Sequence, residues 1–360
     1  MRMVTYHWGK SRWWEDPRSV EDAVIRLLEA VDKAGAEGVP RPSTIRLTLQ
    51  PAPDPQSAAD VMDELGEVSE GNDVLINVGF YSMINAGHIA REAVLNGLYL
   101  SVLLDTTRWD AIRGLVRLIN AIAEEDVDAS TRIAVNTGGR PLRTPFYPIS
   151  STLEGEEALT IGLTYPSYLL EAYRRGGIEA LRNAIIEAAR FAERNVEAIA
   201  RELTLRDYGV DLSVAPWMED STLGLVEAIA GVRLPEPGIA MGVAIVNKYI
   251  REVASELGRT TGFNEVQLPV GEDSKLKARA SEGETRARDL ARLAGLCVAG
   301  LDMVVIPYDE RLVGGLILEV AAYSLVKERV LGVRVIPLEG VEPGDKVSFK
   351  RFGEIPAIPI

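Results

Sequence analysis

The stretch that decides the fold is GLYLSVLLDTTRWDAIRGLVRLINAIAEEDVDASTRIAVN, residues 97–136. It opens on GLYLSVLL, a Leu-rich run with Tyr99 and Val102 and without strict polar alternation, which is how a strand reads when both its faces are covered. WDAIRGLVRLINAIAEE (109–125) follows, with Ile112, Leu115, Val116, Ile119 and Ile122 on one helical stripe. The stretch closes on TRIAVN (131–136), a second strand-like run. Strand, long helix and strand in succession are the building unit of a parallel sheet, because parallel neighbours need a crossover.

The same alternation runs to both ends of the chain. Strand candidates lie at 1–8, 43–49, 73–80, 97–104, 131–136, 158–165, 208–215, 264–270, 302–308 and 333–338. Helical patterns fill 19–35, 109–125, 178–205, 218–231, 239–258 and 309–328 between them. Ser19 reads as an N-cap, and Gly231 and Gly258 as left-handed helix ends. The longest helix begins after Gly176–Gly177. Proline clusters at 39–41, 51–55 and 235–237 read as ordered loops. No composition shift marks a boundary, so the expectation is one α/β domain over 1–360 with ten strands, a barrel favoured over an open sheet.

Composition removes several function classes. The 360 residues are 47% apolar and 26% charged, ordinary for a globular chain. Lys and Arg number 39 against 53 Asp and Glu, giving a net charge of −14. Nucleic-acid and polybasic membrane-surface binding need clustered cations, so neither is expected. One cysteine, Cys297, excludes an intrachain disulfide and a thiolate zinc cluster. Two histidines, His7 and His88, exclude a multi-histidine metal site. MRMVTYHWGK is not a signal peptide, and no apolar run is long enough to span a bilayer, so a cytoplasmic protein is expected. Only three glutamines fit a heat-adapted source.

Phosphate loops, dinucleotide fingerprints, nucleophile elbows, HExxH helices and EF-hand loops are all missing. What remains is a set of polar residues at expected strand ends, where α/β folds place their sites. Glu272 and Asp273 follow QLPV, Asp105 follows the fourth strand and His7 ends the first. These four are the candidate catalytic groups, since carboxylates and an imidazole can divide acid and base roles. Glu272 and Asp273 are also candidate ligands for a divalent cation such as Mg²⁺. Asn136, Arg140, Arg143 and Ser213 are candidate substrate-binding residues, the arginines suited to carboxylate or phosphate. Each has a bland competitor: Asp105 and Asp273 as helix caps, the arginines as surface ion pairs, His7 as a satisfied structural histidine. Asp211 and Asp302, read as near strand N-termini, look structural. Cys297 has no neighbouring His or Lys and reads as a core cysteine, with a nucleophilic or radical-carrying role as the sharper alternative.

TRIAVNTGGRPLRTPFYPIS, ALTIGLTYPSYLLEAYR, DLSVAP, QLPVGED, LCVAGLDMVVIPYD and VRVIPLEGVEPGDKVSF, in that order over roughly 131–350, resemble the UPF0210/DUF711 family. MRMVTYHW and STIRLTLQPAP are similar to its first two strands, while LLDTTRWDAI departs from it. The resemblance implies an α/β barrel of the pyruvate formate-lyase-like (glycyl radical enzyme) fold, ten strands in two halves of five. It implies a scaffold and no reaction. Cys297 matches the family's cysteine position, and Gly353 in KRFGEIPA has a partial likeness to a glycyl-radical segment. The surrounding residues match poorly, so radical chemistry is not expected.

Two functions are weighed. One is an enzyme on a small, anionic metabolite, with Glu272, Asp273, Asp105 and His7 converging in a deep pocket. The other is a non-catalytic ligand-binding or regulatory barrel, with an ACT-type amino-acid-binding protein as partner, which the resemblance implies because such a protein is encoded beside some members of the family. Apolar outer helices such as 312–326 suggest a homo-oligomer.

Overall fold

Side chains alternate across a strand, so each strand here serves two environments. A computed structural model describes residues 2–296 and 300–360. Five strands run parallel in chain order: β1 (Met3–Trp8), β2 (Thr44–Leu49), β3 (Val74–Ser82), β4 (Tyr99–Leu103) and β5 (Ile133–Asn136). β6 (Glu157–Gly162) lies antiparallel to β1 and carries β7 (Tyr208–Asp211) parallel to itself. β8 (Leu301–Pro307) pairs parallel with β9 (Gly332–Leu338), and β9 lies antiparallel to β5. The order is β7-β6-β1-β2-β3-β4-β5-β9-β8, with a separate hairpin of β10 (Lys346–Phe349) and β11 (Gly353–Pro356).

The sheet therefore has nine strands, not ten, and it does not close. The expected strand at 264–270 is an irregular segment that touches the 208–214 stretch through isolated bridges at Val210–Thr260 and Val214–Val266. Two features keep it from becoming a ladder. Gly262 and Asn264 have φ of +75° and +56°, outside the extended region. The Asp211 carboxylate also takes the backbone N–H groups of Phe263 and Asn264 at 2.9 and 3.0 Å, which a neighbouring strand would otherwise use. Gly262 permits this approach, since a Cβ there would lie 2.1 Å from Asp211 Oδ2. Asp211 thus sits at the C-terminal end of β7, not near its N-terminus as expected from sequence.

One face of the sheet buries Val4, Tyr6, Ile45, Leu47, Ile76 and Val102 against the outer helices. Among these, Arg18–Ala36 and Trp109–Glu125 present the apolar stripes expected of them. The long element Pro166–Glu202 breaks at Gly176 and Gly177, as the glycine pair implied. No helix among the described residues is long and apolar enough to cross a membrane.

The other face encloses part of the chain. Residues 144–152, between β5 and β6, are buried throughout and lie against inward side chains of the first three strands. Buried backbone needs hydrogen-bond partners, and the strands supply them. Thr5 Oγ1 donates to Pro145 O at 3.3 Å, and Arg46 Nη1 to the same oxygen at 2.9 Å. Asn77 Nδ2 donates to Pro148 O at 2.9 Å, and Thr48 Oγ1 lies 2.7 Å from Ser150 Oγ. A small apolar cluster of Met3, Ala134, Phe146, Ile149, Ala215, Phe263 and Val330 fills the rest of this interior.

Candidate functional site

The chemistry of the interior gathers around Glu272. The short turn Val270–Glu272 passes so close to β8 and β11 that a Cβ on Gly271 would lie 2.7 Å from Met303 Cε and 2.6 Å from Ile355 Cδ1. Glu272 then faces inward while the adjacent Asp273 faces the helix that follows. Arg2, just before β1, donates Nη2 to Glu272 Oε2 in a short bond. Arg334 on β9 donates Nη2 to Glu272 Oε1 at 3.0 Å. Arg334 also grips Asp302 through two bonds of 2.6 and 3.0 Å, a fork-to-fork pair. Asp302 owes its position to a bulge in β8, where Met303 is the extra residue, with φ of +53°. Burial opposes ionisation of Glu272, but the charges of Arg2 and Arg334 outweigh it and hold the carboxyl down to about 2.

These groups line a cavity of about 50 Å³, together with Arg46, Gln267, Phe146, Ile149 and Phe263. That is room for about three or four waters, or one carboxylate-sized group. Arg46 is only 6% exposed, and among the described residues it has no carboxylate within ion-pair distance. Its fork is held by Thr44 Oγ1 at 3.2 Å and Pro145 O at 2.9 Å, with its guanidinium carbon 5.0 Å from the Tyr147 ring centroid. Burial, reinforced by Arg2, lowers its pKa to about 10. Gln267, 5% exposed, has an Nε2 with no hydrogen-bond partner. Three guanidiniums, of Arg2, Arg46 and Arg334, thus face two carboxylates, of Glu272 and Asp302.

The four candidate catalytic residues do not meet in this cavity. Of them, Glu272 alone lines it. Asp273 is the N-cap of Ser274–Ser281, accepting from Lys275 N at 3.0 Å and Leu276 N at 3.1 Å, and also from Ser221 Oγ at 2.6 Å and Leu223 N at 3.0 Å. Asp105 is exposed and does not cap Trp109–Glu125, whose N-cap is Arg108. His7 is fully buried between Ser151 O at 3.2 Å and Thr160 Oγ1 at 2.8 Å. A carbonyl only accepts, so Nδ1 carries the proton and Nε2 accepts from the threonine. Burial, with Arg143 nearby, lowers His7 to about 3, so it stays neutral at ordinary pH.

The candidate binding residues are likewise dispersed. Asn136 holds its own turn, donating to Arg140 O and accepting from Gly138 N. Arg140 donates to Glu328 O at 2.7 Å. Ser213 Oγ is bound to Asp211 Oδ1 at 2.6 Å. Arg143 pairs with Asp207 at 2.5 Å and Glu156 at 3.1 Å, and lines a separate cleft of about 440 Å³ with Thr160 and Arg259. Glu272 and Asp273 face opposite ways, one into the cavity and the other onto the helix that follows. Among the described residues no group of three or more His, Cys, Asp or Glu is placed to hold a metal ion. Cys297 lies outside the described residues. Gly353 is exposed at the turn of the hairpin.

Sequence reasoning missed Arg2, Arg46, Gln267, Asp302 and Arg334. The available signal was an arginine at the inward positions of otherwise apolar strands, in TIRLTL and GVRVIPL. A buried arginine in such a run needs a reason.

The fold and site together define a mixed α/β protein with a charged, arginine-rich cavity inside its sheet. The chain belongs to the family described as Uncharacterised ACR (DUF711), whose model matches residues 88–350. A UPF0210 protein of Pyrobaculum arsenaticum is 26% identical over 358 residues, covering 91% of this chain and 80% of the relative. UPF0210 proteins of Pyrobaculum aerophilum and Methanopyrus kandleri are each 28% identical, covering 91% of this chain and 80% and 75% of the relatives. Among solved structures, the anaerobic ribonucleotide reductase of Thermotoga maritima in complex with dATP and CTP is similar, with TM-score 0.43 and 9% identity over 92% of this chain and 74% of that one. The fold assignment rests on the sheet order above.

Proposed function

We propose that the protein binds a small organic anion in the interior cavity, with Arg46 as its principal charge partner and Gln267 Nε2 as a second donor. The observation that carries this reading is Arg46 itself: a buried guanidinium, without a carboxylate, beside a cavity of about 50 Å³. A buried charge is costly unless something pairs with it, and an anionic ligand would be that partner. The orphaned Gln267 amide supports the same reading, because a buried donor with no acceptor also costs free energy.

Proton transfer by the four sequence-derived catalytic groups draws less support. Glu272 and His7 lie far from neutrality, at about 2 and about 3, whereas an effective acid or base titrates near the working pH.

The test is thermal and denaturant unfolding with acetate or inorganic phosphate at fixed ionic strength. Ligand at 100 times its Kd stabilises by about 2.7 kcal/mol. Arg46→Met is expected to abolish that gain while changing ligand-free stability by no more than about 1 kcal/mol. Retention of the full gain in Arg46→Met would remove the cavity as the site.

A further inference from the structure

Arg2 belongs to two spaces. It lines the interior cavity, and it also lines an outer cleft of about 450 Å³ with Thr44, Thr164, Trp217, Asp220 and Arg351. Its guanidinium carbon lies 5.3 Å from the Trp217 ring centroid, and that of Arg351 lies 5.3 Å from the same centroid. Arg351 is exposed and makes no ion pair among the described residues. Arg2 and Arg351 both press on the charge of Arg46, so the three arginines form one electrostatic group. This is notable in a chain of net charge −14. Each space also holds a buried side-chain atom with no hydrogen-bond partner, Gln267 Nε2 in the cavity and Thr164 Oγ1 in the cleft. The carboxylate in the cleft lining, Asp220, is already taken up by Ser167 N at 2.6 Å.

From these observations, and resting on the anion-binding reading above, we infer that the ligand is a dianion with two anionic ends. One end sits in the cavity against Arg46 and Gln267. The other sits in the cleft against Arg351 and Thr164, with Arg2 between them. The chemical class is a short dicarboxylate or a phosphorylated carboxylate. Two separated arginine sites select for the distance between two charges, which neither site alone can measure. Trp217 gives the cleft a planar apolar wall beside the charges, with the Phe352 ring edge-on to it at a centroid distance of 6.1 Å.

The experiment measures Kd by calorimetry on the full chain for acetate and for the straight-chain dicarboxylates from malonate to adipate, at constant ionic strength. Affinity is expected to peak at one chain length, at least ten-fold above acetate. Arg351→Gln is expected to lower the affinity of that best dicarboxylate about ten-fold while acetate changes less than two-fold. Arg46→Gln should weaken both. Acetate binding that depends on Arg46, with no dicarboxylate preference or no effect of Arg351→Gln, overturns the dianion and leaves the anion site standing. Absence of binding by every probe to the unmutated protein overturns both.

Discussion

Two glutamates, Glu265 within the irregular 264–270 segment and Glu272 just past it, sit in opposite kinds of surroundings. Glu265 is 1% exposed and collects three cations: Arg251 at 3.4 Å, Lys327 at 3.1 Å and Arg329 at 2.5 Å. Arg251 and Arg329 reach in from water, with side chains 52% and 34% exposed, while Lys327 is largely covered at 16%. Glu272 is held by Arg2 and Arg334, whose side chains are only 11% and 6% exposed. Cations that arrive from solvent can return to it, so the Glu265 cluster is a clamp on the fold. The Glu272 cluster cannot rehydrate, has a cavity beside it and holds one arginine more than its carboxylates require. A surplus charge with space next to it is what the anion-binding proposal rests on, and the Glu265 cluster has neither.

The contrast can be broken in three ways. Arg334→Met should be the most damaging, since it leaves Asp302 and half of Glu272 unpaired in the interior; a loss of about 3–5 kcal/mol in denaturant unfolding is expected. A loss under 1 kcal/mol would mean that the interior is wetter than its burial implies. Glu265→Gln should cost less, about 2 kcal/mol, because its cations can turn to water. Its stabilisation by acetate should match that of the unmutated protein, and a lost acetate response would merge the two clusters into one site. The smallest effect is an acid one, confined to the interior network. The folded pKa of His7, about 3, lies below the ordinary 6.5, so the unfolded chain takes up the proton first as pH falls. Stability from His7 is complete above pH 6.5 and is lost progressively toward pH 3. Between pH 7 and pH 5.5 this loss is about 1 kcal/mol, and His7→Gln should remove that part of the slope; an unchanged slope would mean that His7 is protonated in the folded state.

Much of the fold was legible in the chain. Nine of the ten strand-like runs are strands because apolar density without alternation is a direct imprint of burial on both faces. The tenth falls short because NEVQLPV is buried but joins the sheet only through isolated bridges, such as Val214–Val266, and never builds a ladder. The contacts that bend it, from Asp211 to Phe263 and Asn264, are invisible to periodicity. The hairpin at 346–356 was missed because its first strand is largely exposed and carries little apolar signal. Glu272 was found at the site because it follows a strand-like run. Its neighbour Asp273 was not separable from it, since sequence does not tell which way adjacent side chains turn. Arg46 and Arg334 stand in strand middles, where an apolar run signals core, and so carry no strand-end signal for function. The rule that α/β sites gather beyond strand ends applies to a sheet with nothing inside it, and here residues 144–152 occupy that interior.

That enclosed segment has a consequence for how the family can vary. The walls of the cavity contributed by Phe146 and Ile149 belong to a connection between β5 and β6, not to the sheet. Thr5, Arg46 and Asn77 anchor its backbone oxygens, so those two side chains carry no hydrogen bonds and contribute only packing, within the small cluster with Met3, Ala134 and Phe263. A relative can therefore resize the chamber by exchanging one or two side chains on the inserted loop, keeping every strand, register and arginine. If the cavity takes the proposed anion, the size it accepts is set by an interchangeable part, decoupled from the frame that holds the charge.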